Sequence, residues 1–435
     1  MADNTEYRCI DLFAGIGGIR KGFELAAGAN TFETVFVSEY DKFAAITYAA
    51  NFDTPTEAIE GIDDLLMDVE GARIYGDITK VSNAALASIK PFDICLAGFP
   101  CQAFSLAGKR KGFEDDYKGM ARGTLFRELI RVCEINKPKV VFCENVKGLL
   151  RHDGGKTLEV ICGAFDEAGY RVFYDVLNSR NFDVPQNRER LYIVAFRKDI
   201  SPESFSFPVG NPTEKRIKDI FEEGPVDSRY YLSTKYLETL KKHRRRHEKK
   251  GNGFGYQVRS LDELAGTLSC GGMGRERNLL VDDRPHDTGL VGLKHSPING
   301  ENVRKMTPRE WARLQGYPDS YKLPVADSHL YKQLGNTVTI TVIEAIAEIV
   351  LSYLDGLFAS RSINDIRRKA ILDSLADSPM NHAEIMDEIL PLYMSTDAPE
   401  KISQNVSYLL QDLKRAGSIE PSGKTASSVW KKTLD

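Results

Sequence analysis

Short apolar runs alternate with stretches of helical periodicity over the first 200 residues. Arg8–Phe13, Thr34–Ser38, Phe92–Ala97, Lys139–Cys143, Arg171–Leu177 and Leu191–Phe196 are rich in Val, Ile and Phe and bounded by turn residues, which predicts strands. Between them, Ile19, Phe23 and Ala26 make one helical face that stops near Gly28, and Leu125, Leu129, Val132 and Cys133 make another. This alternation predicts an α/β domain with a mostly parallel sheet. From 201 to 303 apolar periodicity weakens while Pro, Gly and charge rise, which reads as a smaller, irregular strand-and-loop domain. Regularity returns at 304. Thr307-Pro308 is a helix start running to Leu314, and Val338–Leu357 is a long apolar helix. The expected layout is a discontinuous domain (1–200 with 304–358), an insert (201–303) and a third unit (359–435). In that third unit Ile363–Ala376, His382–Leu390 and Ile402–Ala416 read as helices. Ser418–Thr433 reads as two short strands around Pro421-Ser422-Gly423, the outline of a winged helix.

Length and composition fit this layout. At about 150 residues per domain, 435 residues suggest two or three domains. Lys+Arg 58 against Asp+Glu 62 leaves a net charge of −4, so any nucleic-acid-binding surface has to be local. No run of 18 apolar residues occurs, and the start lacks the pattern of a secretory signal, so no membrane association is expected. The seven cysteines form no CxxC pair, which argues against a metal site and suits a reducing cytoplasm.

The candidate chemistry sits at strand ends. In Asp11-Leu12-Phe13-Ala14-Gly15-Ile16-Gly17-Gly18 a strand enters a glycine turn and then a helix, leaving the helix N-terminus open to a ligand. Glu39 ends the next strand, 24 residues after Gly15, where a carboxylate suits ribose hydroxyls. With Gly76-Asp77-Ile78 on a third turn, these predict a nucleoside-cofactor site. Arg20 stands where a dinucleotide fingerprint would have its third glycine. Gly98-Phe99-Pro100-Cys101-Gln102 ends an apolar strand and offers Cys101 as a nucleophile, although most cysteines are simply buried. Cys9, Cys95, Cys133 and Cys143 are assigned to that buried class. Ser105–Phe113 is a Gly-flanked basic loop suited to closing over a polyanion. Glu144 ends another strand, and Arg188 and Arg190, alternating along a later one, are placed to fix a carboxylate or phosphate.

DLFAGIGG, GFPCQ, ENV and QNRER, followed by QLGNTVT, together resemble the DNA (cytosine-5)-methyltransferase family over roughly 7–200 and 304–357. The resemblance implies a Rossmann-like S-adenosylmethionine-dependent methyltransferase fold. It implies that Phe13, Gly15, Gly17, Glu39, Asp77, Ile78, Pro100, Leu125, Asn336 and Val338 hold the cofactor. Cys101 would add to carbon 6 of a flipped cytosine, Glu144 would hydrogen-bond the ring-nitrogen-3 edge, Arg188 would hold that arrangement, and Arg190 would support the site. Gln102, Ser105, Lys109, Arg110 and Lys111 are then expected at the DNA. Arg275 and Arg277 of the insert, with Glu276 between them, are watched as readers of bases, since arginine reads guanine by two bonds. KKHRRRHEKK (241–250), with seven Lys/Arg against one Glu, reads as a phosphate-facing or solvated stretch rather than a base reader.

The expected partner is double-stranded DNA, with a cognate restriction endonuclease acting separately, and the expected location is the bacterial cytoplasm at the nucleoid. Two other functions share much of this sequence logic: methylation of cytosine in transfer RNA, and a non-catalytic DNA-binding regulator on the same fold. The insert of about 100 residues and the GFPCQ turn favour duplex DNA, and an intact set of Cys101, Glu144 and Arg188 speaks against a regulator.

Overall fold

The computed structural model describes the chain except residues 1–5, 29–30, 56–58, 60, 63–64, 70–71, 101–115, 118–119, 122–124, 271–273, 285–289, 292–295, 356–362, 393–398, 416–417, 422–428 and 434–435. It divides into two compact units, 1–200 with 212–345, and 201–211 with 346–435.

The first unit is built on an eight-stranded sheet. Its strands are β1 (Glu6–Leu12), β2 (Thr31–Ser38), β3 (Leu65–Val69), β4 (Ala72–Tyr75), β5 (Ile94–Ala97), β6 (Val140–Val146), β7 (Tyr170–Asn178) and β8 (Glu189–Arg197), in the order β3-β4-β2-β1-β5-β6-β8-β7. The five strands from β4 to β6 run parallel. β8 is antiparallel to both β6 and β7, and β3 to β4. The six expected strands are all present. β3 and β4 were not foreseen, because they are only five and four residues long and Asp68 and Arg73 interrupt their apolar runs.

All four residues of β5 are buried, which follows from cover on both faces of a central parallel strand. On one face Cys95, Ala97, Val141, Cys143 and Ile193 pack with Leu86 of α3 (Asn83–Ala87), Leu129 and Val132 of α4 (Leu125–Asn136), and Ile161 and Phe165 of α5 (Lys156–Glu167). On the other, Phe23 of α1 (Gly18–Ala27) meets Phe142 edge-on at 5.2 Å. α2 (Lys42–Ala49) starts at Asp41, whose carboxylate accepts from the Phe43 and Ala44 amides.

Two helices correct the expectation of irregular structure or silence. The basic run lies on α6 (Thr234–Glu248), capped by Ser233 and anchored by buried Leu237 and Leu240; its charge masks a periodicity carried by few apolar residues. α7 (Pro308–Leu314) has the expected start, with Thr307 and Glu310 exchanging capping bonds. α8 (Asp327–Asn336) was not foreseen; it precedes α9 (Ile340–Leu354), which begins two residues later than the apolar run suggests.

The second unit contains α10 (Ile363–Asp377), α11 (His382–Ile389) and α12 (Pro399–Arg415), and an antiparallel pair, Ile419–Pro421 with Trp430–Lys432. Ile371, Leu375, Ile385, Val406, Leu409 and Leu413 form its core. Among the described residues no single helix is long and apolar enough to cross a membrane.

Candidate active site

Strand register puts the chemistry on one level. Tyr75, Ser38, Leu12, Ala97 and Cys143 pair in turn across β4, β2, β1, β5 and β6. The next residue on each strand, namely Gly76, Glu39, Phe13, Gly98 and Glu144, therefore emerges together at the carboxyl edge. That edge is where open parallel sheets present their ligand crevice.

The glycine turn is tightly specified. Phe13, Gly15 and Gly17 have φ of 55°, 56° and 76°. Left-handed backbone at a half-buried aromatic is a strain that a ligand-facing turn commonly carries. Glu39 braces the turn: one carboxylate oxygen accepts from the Gly15 amide and the other from the Asp41 amide, each at 2.6 Å. Its burial raises its pKa against those two bonds. A Cβ on Gly18 would lie 2.6 Å from both Thr337 Oγ1 and Tyr317 Oη and 2.9 Å from Val338 Cγ2. The segment after α8 thus closes onto the turn from the far end of the chain, and buried Val338 belongs to that closure.

Arg20 is buried, not a failed glycine. Its guanidinium bonds Glu24 at 2.8 Å and Tyr48 Oη at 3.2 Å, and Tyr48 Oη donates to Asp11 at 3.1 Å. Burial pushes Asp11 up to about 7 despite these partners. On the third turn Asp77 caps a short helical turn through the Thr79 amide and hydroxyl, at 3.0 and 2.8 Å. Arg131 of α4 holds the carbonyls of Ile78 and Val81, at 3.0 and 2.8 Å. Leu125, the first residue of α4, and Pro100 are half-buried.

At the other end of the edge, Glu144 faces Arg190, with Nε 3.1 Å from the carboxylate. Burial raises the Glu144 pKa, while Arg190 first and Arg188 second pull it down. The pairing refines the expectation: Arg190 touches the glutamate directly. Arg188, 1% exposed, donates instead to the carbonyls of Leu268 (2.9 Å), Thr337 (2.6 Å) and Gly335 (3.5 Å). It thereby ties β8 to the insert and to the closing segment. Asn145, also 1% exposed, reaches the Phe99 carbonyl at 3.4 Å and so supports the turn that leads into Pro100-Cys101.

Asn336 is exposed, and its Oδ1 accepts from Cys270 Sγ at 2.8 Å. Gln186, fully buried, bonds the Leu314 carbonyl, Gln315 and the Leu268 amide. Cys9, Cys95, Cys133 and Cys143 are buried as expected, and burial raises all four thiols. Arg275 and Arg277 lie exposed on the turn Gly274–Arg277, whereas Glu276 between them is buried and accepts from Tyr236 Oη at 3.1 Å. Cys101, Gln102, Ser105, Lys109, Arg110 and Lys111 lie outside the described residues. Among the described residues no cluster of three His, Cys, Asp or Glu side chains is arranged to hold a metal.

Sequence reasoning missed Asn145, Arg131, Gln186 and the Asp11–Tyr48–Arg20 chain as parts of this site. Asn145 and Gln186 stood inside the quoted ENV and QNRER motifs, and a buried-polar role for each was the available signal. For Arg131 no sequence signal existed, because its carbonyl partners are set by packing.

A doubly wound sheet with a glycine turn, a carboxylate after the second strand and a paired glutamate on one carboxyl edge forms a crevice of the class that binds nucleoside cofactors. The chain matches the family described as C-5 cytosine-specific DNA methylase over residues 7–352. It is 47% identical over 358 residues to the type II methyltransferase M.HpaII of Haemophilus parainfluenzae, covering 81% of this chain and 91% of that one. It is 39% identical over 358 residues to M.SsoII of Shigella sonnei, covering 81% and 82%. A solved Entamoeba histolytica methyltransferase, EhMeth, shares the fold, with TM-score 0.59 and 19% identity over 81% of this chain and 99% of that one. The chain belongs to the C-5 cytosine-specific DNA methylase family. It is an enzyme of the type II restriction–modification kind whose methyl donor is S-adenosylmethionine and whose substrate is DNA.

Proposed function

We propose that this enzyme methylates carbon 5 of a flipped cytosine within one short duplex sequence, through a covalent adduct on Cys101. The observation that carries the reading is the level row of Phe13, Glu39 and Glu144 at one carboxyl edge, with Glu144 paired to Arg190. Phe13, Gly15, Gly17, Glu39, Asp77, Ile78, Pro100, Leu125 and Val338 would hold S-adenosylmethionine. Support for the fit comes from the strained, half-buried Phe13 and from a glycine turn braced by Glu39. Asn336 is kept in this group, with its Cys270 bond exchanged on binding. The cofactor supplies a sulfonium methyl group, which carbon 5 accepts.

The chain's own residues make carbon 5 reactive. The base has to leave the duplex to reach the edge. The Cys101 thiolate adds to carbon 6, and carbon 5 becomes enamine-like. Glu144, whose pKa burial raises, hydrogen-bonds nitrogen 3 and offsets the charge that develops there. Arg190 orients Glu144, and Arg188 fixes the surrounding backbone. Transfer of the carbon 5 proton to a water then returns the electron pair to the ring and expels the Cys101 thiolate. Gln102, Ser105, Lys109, Arg110 and Lys111 would meet the DNA around the flipped base, the basic residues at phosphates. Arg275 and Arg277 would read base edges, whereas buried Glu276 holds their turn.

In the cell we assign the enzyme to the bacterial cytoplasm at the nucleoid, protecting sites that a separate cognate endonuclease cuts. The C-terminal unit, as a winged-helix-like module, would add a second DNA contact. The test is methyl transfer from labelled S-adenosylmethionine to mixed-sequence duplex DNA, mapped at base resolution, with transfer RNA in parallel. One recurring modified sequence supports the reading. Modification of transfer RNA alone, or normal methylation by Cys101→Ala, overturns it.

A further inference from the structure

We infer that the outer face of α6 is a phosphate-backbone docking surface for the duplex that the enzyme methylates. The inference rests on the DNA-methyltransferase reading and extends it to a helix that no part of that reading uses. Lys242, Arg245, Arg246 and Lys249 follow the i, i+3, i+4, i+7 spacing of a single helical face, and all four are exposed. That face points away from the buried Leu237 and Leu240. Lys235 continues it toward the helix start, and Glu238 is the one acid on it.

The neighbouring acids are engaged elsewhere: Glu301 pairs with Lys241, and Glu248 pairs with Arg244 at 2.8 Å. Among the described residues no ion pair involves the four stripe cations. Like charges at i,i+3 and i,i+4 destabilise a helix by a few tenths of a kcal/mol per pair. The helix dipole offsets this only in the last turn, and Lys242 lies before it. Four crowded cations without internal partners are matched by an external line of anions. From Lys242 to Lys249 the stripe runs about 10 Å at 1.5 Å per residue. A duplex presents one phosphate per roughly 3.4 Å on each strand, so about three phosphates of one strand lie under it. Phosphate contacts position without reading sequence, so this surface would raise affinity for target and non-target DNA alike.

The test is the salt dependence of duplex binding by the full-length enzyme, with S-adenosylmethionine present, for wild type and for the combined variant Lys242→Gln, Arg245→Gln, Arg246→Gln and Lys249→Gln. Each lost phosphate contact lowers the slope of log K against log salt by about 0.9. The variant should therefore lose roughly 3 in slope, with KM for DNA raised, kcat at saturating DNA unchanged and the preference for the target sequence unchanged. A charge-conserving variant, Lys242→Arg, Arg245→Lys, Arg246→Lys and Lys249→Arg, should keep the wild-type slope. An unchanged slope in the glutamine variant overturns the assignment and leaves α6 a solvated face. A changed slope for RNA but not for duplex DNA also overturns it. Absence of DNA methylation by wild type would refute the underlying reading instead, and the two failures are separate readouts.

Discussion

Arg188 offers the sharpest test of how the site is held. Replacing it by Met keeps most of the buried volume but removes the donors to the carbonyls of Leu268 and Thr337, at 2.9 and 2.6 Å, and to the longer contact at Gly335. A buried carbonyl left without a donor costs about 1–3 kcal/mol. Two such losses give roughly 2–6 kcal/mol, and removing a desolvated charge returns part of that. We expect a net destabilisation of about 3 kcal/mol. For a large unit each kcal/mol lowers Tm by about 2 °C, so Arg188→Met should melt some 6 °C below wild type. The loss falls where β8, the insert and the 335–337 segment meet, so affinity for S-adenosylmethionine should fall with it. Thermal melting with and without cofactor, alongside calorimetric titration of S-adenosylmethionine, measures both. Arg188→Lys should recover little, since one ammonium does not span the carbonyls that a planar guanidinium reaches. A variant that melts within 1 °C of wild type and binds cofactor normally would refute the clamp.

Arg190→Met removes the stronger of the two charges that pull the Glu144 pKa down. The limb of the single-turnover pH profile set by Glu144 ionisation should move to higher pH, and no movement, or movement downward, would separate Glu144 from the chemistry. Gly18→Ala places a methyl against Thr337, Tyr317 and Val338, a crowding of the kind that costs about 1–3 kcal/mol; urea unfolding should show the loss, and cofactor binding should weaken with it. Asp11, raised from 3.8 to about 7, contributes stability that is full below pH 4 and lost as pH rises through 7. Asp11→Asn should therefore gain on wild type by about 3 kcal/mol in unfolding free energy between pH 5 and pH 8.5, and equal pH dependence would exclude Asp11 as the titrating group.

The parts of the fold legible in the sequence are those with uninterrupted apolar runs. β5 and β6 are buried on both faces, so their strings of Ile, Leu, Val and Phe leave no alternative. α7 was legible from Thr307-Pro308 because capping chemistry is local. The short strands β3 and β4, and α6, lacked such signals; α6 hides two buried leucines among cations. In the site, strand-end carboxylates and glycines could be read directly, whereas their partners could not. Glu39 and Gly15 follow neighbouring parallel strands and lie 24 residues apart, but Arg188 reaches carbonyls 80 and 149 residues away. Asn336 shows the same limit, since its Cys270 partner comes from the insert, 66 residues earlier.

The two glutamates at the carboxyl edge show why position alone assigns no role. Glu39 and Glu144 each follow a residue of the same paired row, and burial raises both. Their partners differ in kind. Glu39 is held by main-chain amides at 2.6 Å, which carry no charge to exchange and lock both oxygens in place. Such a carboxylate suits a fixed cradle. Glu144 instead answers to two guanidiniums, one in contact and one fastened to the closing segment. Its ionisation therefore depends on how that segment sits, and a cofactor that orders residues 335–338 would tune the same proton that the cytosine ring needs. The Glu144-controlled limb of base addition should therefore shift when the demethylated product of S-adenosylmethionine is added to cofactor-free enzyme. That comparison reads the adduct to Cys101 with no methyl transfer. An identical limb with and without bound cofactor product would mean that Arg188 transmits nothing and serves only to hold the backbone.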